Sequence, residues 1–217
     1  MEYIKICGLK DYEDVQICKK YGATAVGFIY NVPSSPRNLK KSELNKLLEK
    51  IDNEILTVAV SQPQDISELN TFVKAIQVDY YQIHGNFSED KLKKIPEDLK
   101  SQLILAFKLN SSNISSVIHQ INIFKKEFFA FLIDNSEGHG NRLDINLVKE
   151  LLINTNNKKI IIAGGISIEN VEEIIKNVKP FGIDVSSSLE SKKGIKDSSK
   201  IKNFLKKIEK VNKNIKE

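Results

Sequence analysis

Short apolar runs alternate with amphipathic stretches along the whole chain. Eight runs have the length and content of strands: Tyr3 to Cys7, Ala25 to Phe28, Ile55 to Val60, Tyr80 to Ile83, Leu103 to Phe107, Phe129 to Ile133, Ile160 to Ala163 and Gly182 to Val185. Between them apolar residues recur at i, i+3, i+4 and i+7, as in Leu44, Leu47, Leu48, Ile51 and in Leu69, Phe72, Val73, Ile76. That spacing lines one face of a helix. A last stretch, with Ile201, Phe204, Leu205, Ile208 and Val211 on one face, closes the series, and the polar Asn212 to Glu217 is expected to fray. Strands and helices in steady alternation predict a parallel sheet covered by helices. Eight units in 217 residues, roughly 27 residues each, suit a closed (β/α)8 TIM barrel that spans residues 1–217 as one domain. A doubly wound sheet more often has about five or six strands.

Two loops near the C-terminal end carry the strongest chemical signal. The run IIIAGGIS (160–167) breaks at Gly164 and Gly165 and leads into Val171, Ile174, Ile175 and Val178 at helical spacing, with Ser167 as the expected N-cap. Glycine lets the backbone approach a ligand, and a helix N-terminus offers unpaired N–H groups with a partial positive charge. The run GIDVSSSLE (182–190) places Ser186, Ser187 and Ser188 after another strand, where they add hydroxyl and N–H donors. One such loop after each of the last two strands matches the phosphate site of a (β/α)8 barrel. Taken alone, the Gly-Gly pair also suits a plain strand-to-helix turn.

Composition narrows the partners. The net charge of +5 comes from lysine interleaved with Asp and Glu, and arginine occurs only at Arg37 and Arg142. Basic charge so dispersed reads as a solvated surface and not as a nucleic-acid footprint. Where lysine serves nearly everywhere, an arginine kept at position 37 stands out, because its planar fork does what lysine cannot. Two cysteines, Cys7 and Cys18, are too few for a disulfide framework. No secretory segment or membrane-length apolar run is apparent, so a reducing cytoplasm is the expected compartment and no membrane is expected as a partner. The three histidines, His84, His119 and His139, are scattered without metal-ligand spacing, so no metal is expected.

In barrels, chemistry gathers at the C-terminal ends of the strands. The first strand ends in Cys7, the second leads into the loop YNVPSSPRNL with Arg37, the fourth ends in QIHG with His84, and the sixth runs into Asp134. Each has an ordinary alternative. Cys7 suits a small buried hydrophobe as well as a base or nucleophile, and Cys18, on a helical face with Val15, is read as buried only. Asp134 suits a turn, His84 a turn residue bonded to backbone, and Arg37 a surface guanidinium.

In order and spacing, the blocks KICGLK, GATAVGFIYNVPSSPRNL, YQIHG, LIDNSEGHG, IIIAGGISIENV and FGIDVSSSLE followed by KGIKD resemble the phosphoribosylanthranilate isomerases of tryptophan biosynthesis over nearly the whole chain. The resemblance implies a single-domain barrel enzyme, without metal or cofactor, that carries out an Amadori rearrangement of a small phosphorylated aminoaldose. It implies that Cys7 is the general base at ribose C2 and Asp134 the general acid at the ring oxygen. It further implies that Arg37 pairs with the anthranilate carboxylate, that His84 lines the pocket, and that Asp184 sits close by. Gly164, Gly165, Ser186, Ser187 and Ser188 are then the phosphate loops. An ordinary aspartate is ionised at pH 7 and an ordinary thiol protonated, so the pair needs tuning, with Lys5 a candidate positive neighbour for the thiolate.

Three departures from the family pattern are visible. Glu137-Gly138-His139-Gly140 replaces a glycine- and threonine-containing loop, Ser188 stands where glycine is usual, and Ala59-Val60-Ser61 is slighter than the common third-strand end. Two rival readings remain: a related aminoaldose isomerase of histidine biosynthesis, and a phosphate-ligand-binding barrel without turnover. The first is disfavoured by Cys7 where its pattern has aspartate. A monomer and a homodimer are both compatible with the sequence.

Overall fold

The computed structural model describes residues 1–85, 87–134, 143–155 and 159–216. The loop 137–140, with His139, lies outside them. Eight parallel strands form the central sheet: β1 (Tyr3–Cys7), β2 (Ala25–Tyr30), β3 (Leu56–Ser61), β4 (Tyr80–His84), β5 (Leu103–Lys108), β6 (Ala130–Asp134), β7 (Ile160–Ala163) and β8 (Gly182–Val185). Each pairs with its sequence neighbours, and β1 pairs with both β2 and β8, so the sheet closes on itself. This is the (β/α)8 barrel expected from the alternating pattern. All eight expected strands form, three of them (Tyr3–Cys7, Ile160–Ala163 and Gly182–Val185) with the expected bounds and five with ends shifted by one or two residues.

The period-two alternation along β1 assigns its side chains. Ile4 and Ile6 join the apolar shell between sheet and helices, whereas Tyr3 and Cys7 belong to the inner cluster with Ala25, Val58, Val60, Ile104, Ala106, Leu132, Ile161 and Ala163. Lys5, on the same face as Tyr3 and Cys7, is fully buried in that interior. A sheet covered on both faces explains why the strands read as nearly continuous apolar runs instead of alternating ones. The floor of the barrel is aromatic: Tyr3 stacks on Phe181 at 6.0 Å, and Tyr80 stacks on Phe129 at 3.8 Å.

The helical faces expected from spacing are the buried ones. Helix Val171–Val178 buries Val171, Ile174, Ile175 and Val178. Helix Ser198–Lys216 buries Ile201, Phe204, Leu205, Ile208 and Val211 and packs on helix Tyr12–Lys20, completing the ring. That last helix continues past Asn212, where the polar composition suggests fraying. Between β4 and β5 the helix is split into Glu89–Lys93 and Glu97–Lys100, because Pro96 lacks an N–H and forces the preceding residue out of helical geometry. Two further features lie outside the periodic pattern. A short strand, Asn38–Leu39, adds to β2, and an antiparallel hairpin, Glu190–Lys192 with Ile195–Lys196, follows β8.

Gly182 opens β8 directly opposite Tyr3. A Cβ there would lie 2.5 Å from both the Cβ and the carbonyl oxygen of Tyr3. Gly182→Ala is therefore expected to destabilise the barrel by about 1–3 kcal/mol, the usual cost of overpacking. Urea unfolding would show this as a lower midpoint at unchanged slope, and an unaltered midpoint would mean the strand accommodates the methyl group.

Candidate active site

At the C-terminal ends of the strands a cavity of about 440 Å³ opens, lined by Cys7, Arg37, Gln62, Gln82, His84, Asp134, Gly164, Gly165, Ile166, Asp184, Ser186 and Ser187 among others. It contains nine of the ten residues singled out from the sequence. Ser188 is the exception: its hydroxyl donates to the Ile166 carbonyl at 2.6 Å, so it ties the loop after β8 to the loop after β7.

The electrostatic centre is on β1 and β8. Lys5 pairs with Asp184 at 2.7 Å, the two residues lying side by side in register. Burial works against the Lys5 ammonium, but Asp184 and Cys7 outweigh it and hold its pKa above the ordinary value. Burial likewise pushes the Cys7 thiol up; Lys5 opposes this, Asp184 adds to it, and Lys196 draws it back down. Asp184 keeps one oxygen, Oδ1, buried with no hydrogen-bond partner among the described residues while its residue lines the cavity. Cys18 is buried away from this site, and burial pushes its thiol far up, as the sequence reading expected of an inert cysteine.

His84, at the end of β4, meets Gln82 across a 2.8 Å contact between their Nε2 atoms. With the Gln82 amide nitrogen assigned as donor, the ring accepts at Nε2 and carries its proton on Nδ1. Burial, reinforced by Lys5, lowers the His84 pKa, so the imidazole is neutral at pH 7. Asp134 ends β6 beside Lys108 of β5 and Ala163 of β7, and its carbonyl accepts from Leu109 N–H at 2.8 Å.

Both candidate anion loops are built by their own side chains. Gly164 and Gly165 adopt φ of 86° and 63°, a left-handed pair that non-glycine residues rarely adopt. Ser167 caps as expected, one turn ahead of the regular helix: its hydroxyl accepts from Glu169 N–H at 3.3 Å and its carbonyl from Val171 N–H at 3.0 Å, whereas Asn170, directly before helix Val171–Val178, makes no side-chain capping bond to it. Asn170 accepts from Ser167 N–H at 2.8 Å and donates to the Gly165 carbonyl at 2.7 Å, so its amide braces a turn that delays the helix. Ser186 donates its hydroxyl to the Cys7 carbonyl at 3.0 Å, fastening the last loop to the end of β1.

Several participants carried no signal in the periodic pattern. Glu190 binds Arg37, and Lys196 donates to the Ser186 carbonyl at 2.9 Å and to Glu190 at 3.1 Å. Their only trace in the sequence is that SSSLE and KGIKD flank a short gap, which reads equally well as a surface turn. Among the described residues no group of three or more His, Cys, Asp or Glu side chains could hold a metal ion, and no helix is long and apolar enough to cross a membrane.

A closed (β/α)8 barrel whose ionisable side chains converge in one cavity at the strand C-termini is, by architecture, a barrel enzyme. Residues 4–207 match the family model described as N-(5'phosphoribosyl)anthranilate (PRA) isomerase. The N-(5'-phosphoribosyl)anthranilate isomerase of Sulfurihydrogenibium sp. (strain YO3AOP1) is 33% identical over 208 residues, covering 93% of this chain and 96% of that protein. The Clostridium acetobutylicum enzyme is 33% identical over 218 residues, covering 97% and 99%. The crystal structure of the Thermotoga maritima phosphoribosyl anthranilate isomerase superposes with a TM-score of 0.82 at 26% identity, covering 97% of this chain and 100% of the other. The chain belongs to the N-(5'-phosphoribosyl)anthranilate isomerase family.

Two outcomes follow from the charges. Lys5→Met leaves Asp184 buried without its counter-ion and is expected to cost about 3–5 kcal/mol, whereas adding Asp184→Leu recovers most of that loss. Denaturant titration of the two variants measures the coupling, and additive losses would show that the pair is not a unit. Because the folded His84 pKa lies below its ordinary 6.5, the unfolded chain binds the extra proton in the interval between them. Stability then rises with pH across that interval and falls on acidification below about 6.5. His84→Gln is expected to flatten the slope on acidification below about pH 6.5; an unchanged slope would assign it to other groups.

Proposed function

We propose that this chain converts N-(5-phosphoribosyl)anthranilate to 1-(2-carboxyphenylamino)-1-deoxyribulose 5-phosphate, an isomerisation of tryptophan biosynthesis, by general acid–base catalysis with Cys7 and Asp134. The observation that carries the assignment is that one cavity is lined by a thiol beside a buried ammonium, a carboxyl group, and two glycine- and serine-containing loops. A solved relative was crystallised with reduced 1-(o-carboxyphenylamino)-1-deoxyribulose 5-phosphate; it superposes with a TM-score of 0.80 at 26% identity over 97% of this chain.

In this reading the ribose phosphate sits against the backbone at Gly164, Gly165, Ser186 and Ser187, and Ser188 contributes by bracing those loops. Asp134 protonates the furanose ring oxygen, the C1–O bond breaks, and the anthranilate nitrogen lone pair forms the protonated Schiff base. That cation acidifies the C2 hydrogen, which Cys7 removes as a thiolate, giving an enolamine that tautomerises to the ketone. Burial alone disfavours the thiolate; Lys5, Lys196 and the developing iminium are the positive charges that offset it. Asp184 Oδ1 accepts from a sugar hydroxyl, and neutral His84 lines the same wall. Arg37 meets the anthranilate carboxylate.

The compartment that suits two free cysteines is a reducing cytoplasm. A homodimer is the assembly we favour, since the Thermotoga maritima isomerase is dimeric, and a solved structure of monomers generated from it superposes on this chain with a TM-score of 0.80 at 25% identity.

Cys7→Ala and Asp134→Asn are each expected to lower kcat by about 100-fold to 10,000-fold, the range for loss of a general acid or base. The loss of substrate fluorescence on adding enzyme gives the rate. Near-normal turnover in either variant would remove that residue from its role.

A further inference from the structure

Arg37 is not free to present its whole fork to a substrate. Its Nε and Nη2 donate to the two carboxylate oxygens of Glu190, at 2.5 and 2.9 Å. A guanidinium has five N–H groups in one plane, and this side-on pairing uses two of them. Nη1 makes no hydrogen bond among the described residues, and Arg37 lines the cavity. What remains for a ligand is the end-on pair formed by Nη1 and the second hydrogen of Nη2.

The hold on Arg37 is built, not incidental. Glu190 is buried, with its side chain 4% exposed, and it also accepts from Gly194 N–H at 2.9 Å and from Lys196 at 3.1 Å. The pull of Arg37, Gly194 and Lys196 outweighs burial and keeps the carboxyl ionised, below its ordinary pKa. Beneath the arginine, Gly8 has φ of 80°, and a Cβ there would lie 2.4 Å from Arg37 Cδ. Lys196 carries the connection onward to Ser186, which bonds the carbonyl of Cys7. One carboxylate thus joins the Arg37 loop, the hairpin after β8, the last anion loop and the end of β1.

We propose that Glu190 is a positioning residue that sets selectivity for an aminoaldose carrying an aromatic carboxylate. By fixing the guanidinium side-on, it aims the end-on fork into the cavity, so the ligand carboxylate meets a pre-oriented partner. Holding a long side chain in its bound rotamer removes an ordering cost that would otherwise weaken binding. This rests on the reading of Arg37 as the partner of the anthranilate carboxylate.

The test is steady-state kinetics of Glu190→Gln and Glu190→Asp with N-(5-phosphoribosyl)anthranilate, alongside competition by N-(5-phosphoribosyl)aniline, which lacks the carboxyl group. Glu190→Asp keeps the buried charge but is one methylene shorter, so it serves where the glutamine variant does not fold. The expected result is a rise of about three- to tenfold in KM for the anthranilate substrate with kcat little changed, and unaltered competition by the aniline ligand. Equal weakening of both ligands would mark general damage to the barrel mouth and overturn the proposal, as would an unchanged KM in a folded variant. Arg37→Lys separates this from the reading beneath it. If that variant leaves both ligands unaffected, the carboxylate role of Arg37 falls. If it weakens the anthranilate substrate alone while the Glu190 variants do not, that role stands and the positioning role is lost.

Discussion

An ammonium group fully buried inside a barrel has to be neutralised where it stands, and the Lys5–Asp184 pair does this at 2.7 Å. Removing such ions from water costs several kcal/mol each, and replacing a buried pair with apolar side chains is often neutral or stabilising by about 1–4 kcal/mol. Stability alone therefore gives no reason to keep it. The pair does place a fixed positive charge beside the Cys7 thiol and a carboxylate oxygen at the cavity wall. The same two charges reach His84, whose imidazole is kept neutral mainly by burial and then by Lys5. The polar layer of the interior is thus a preset field, with no solvent needed to reorganise when charge develops in the cavity.

That field is useful only if the surrounding loops are held in register with it, and they are held by side chains as much as by the barrel. Ser186 fastens the last loop to the Cys7 carbonyl, Ser188 fastens it to the loop after β7, and Asn170 braces that second loop from within. Glu190 and Lys196 extend the same set of bonds to Arg37. Because neighbouring loops share partners, displacement of one strains the others. A site assembled this way keeps its donors in place before a ligand arrives, which is where binding affinity is otherwise lost.

The relation between pattern and structure differs from element to element. The helical faces at Val171–Val178 and Ile201–Val211 were legible because burial on one side imposes a 3.6-residue spacing that the chain must display. The eight strands were legible because a sheet buried on both faces demands compact apolar runs. Ser167 was legible as a cap because a short hydroxyl side chain suits that role, and its hydroxyl accepts from Glu169 N–H while Asn170, three residues later, accepts from Ser167 N–H in return; what the pattern did not show is that the regular helix starts only at Val171. Ser188 looked like one more donor for an anion, yet its hydroxyl is committed to Ile166. The hairpin over 190–196 carries no period at all, being short and partly polar.

By itself the sequence determined the barrel, the strands that end at its mouth and the residues that stand there, since periodicity and position along each strand are local properties. Only the tertiary structure decided which of those residues share charge. Lys5 and Asp184 are 179 positions apart, and Arg37 and Glu190 are 153 apart. Nothing in either neighbourhood names the partner. Closure of the sheet brings β1 against β8, and the hairpin after β8 against the loop after β2. Coulomb attraction and hydrogen bonding act through space and not along the chain, so these pairs become visible only once the barrel has closed.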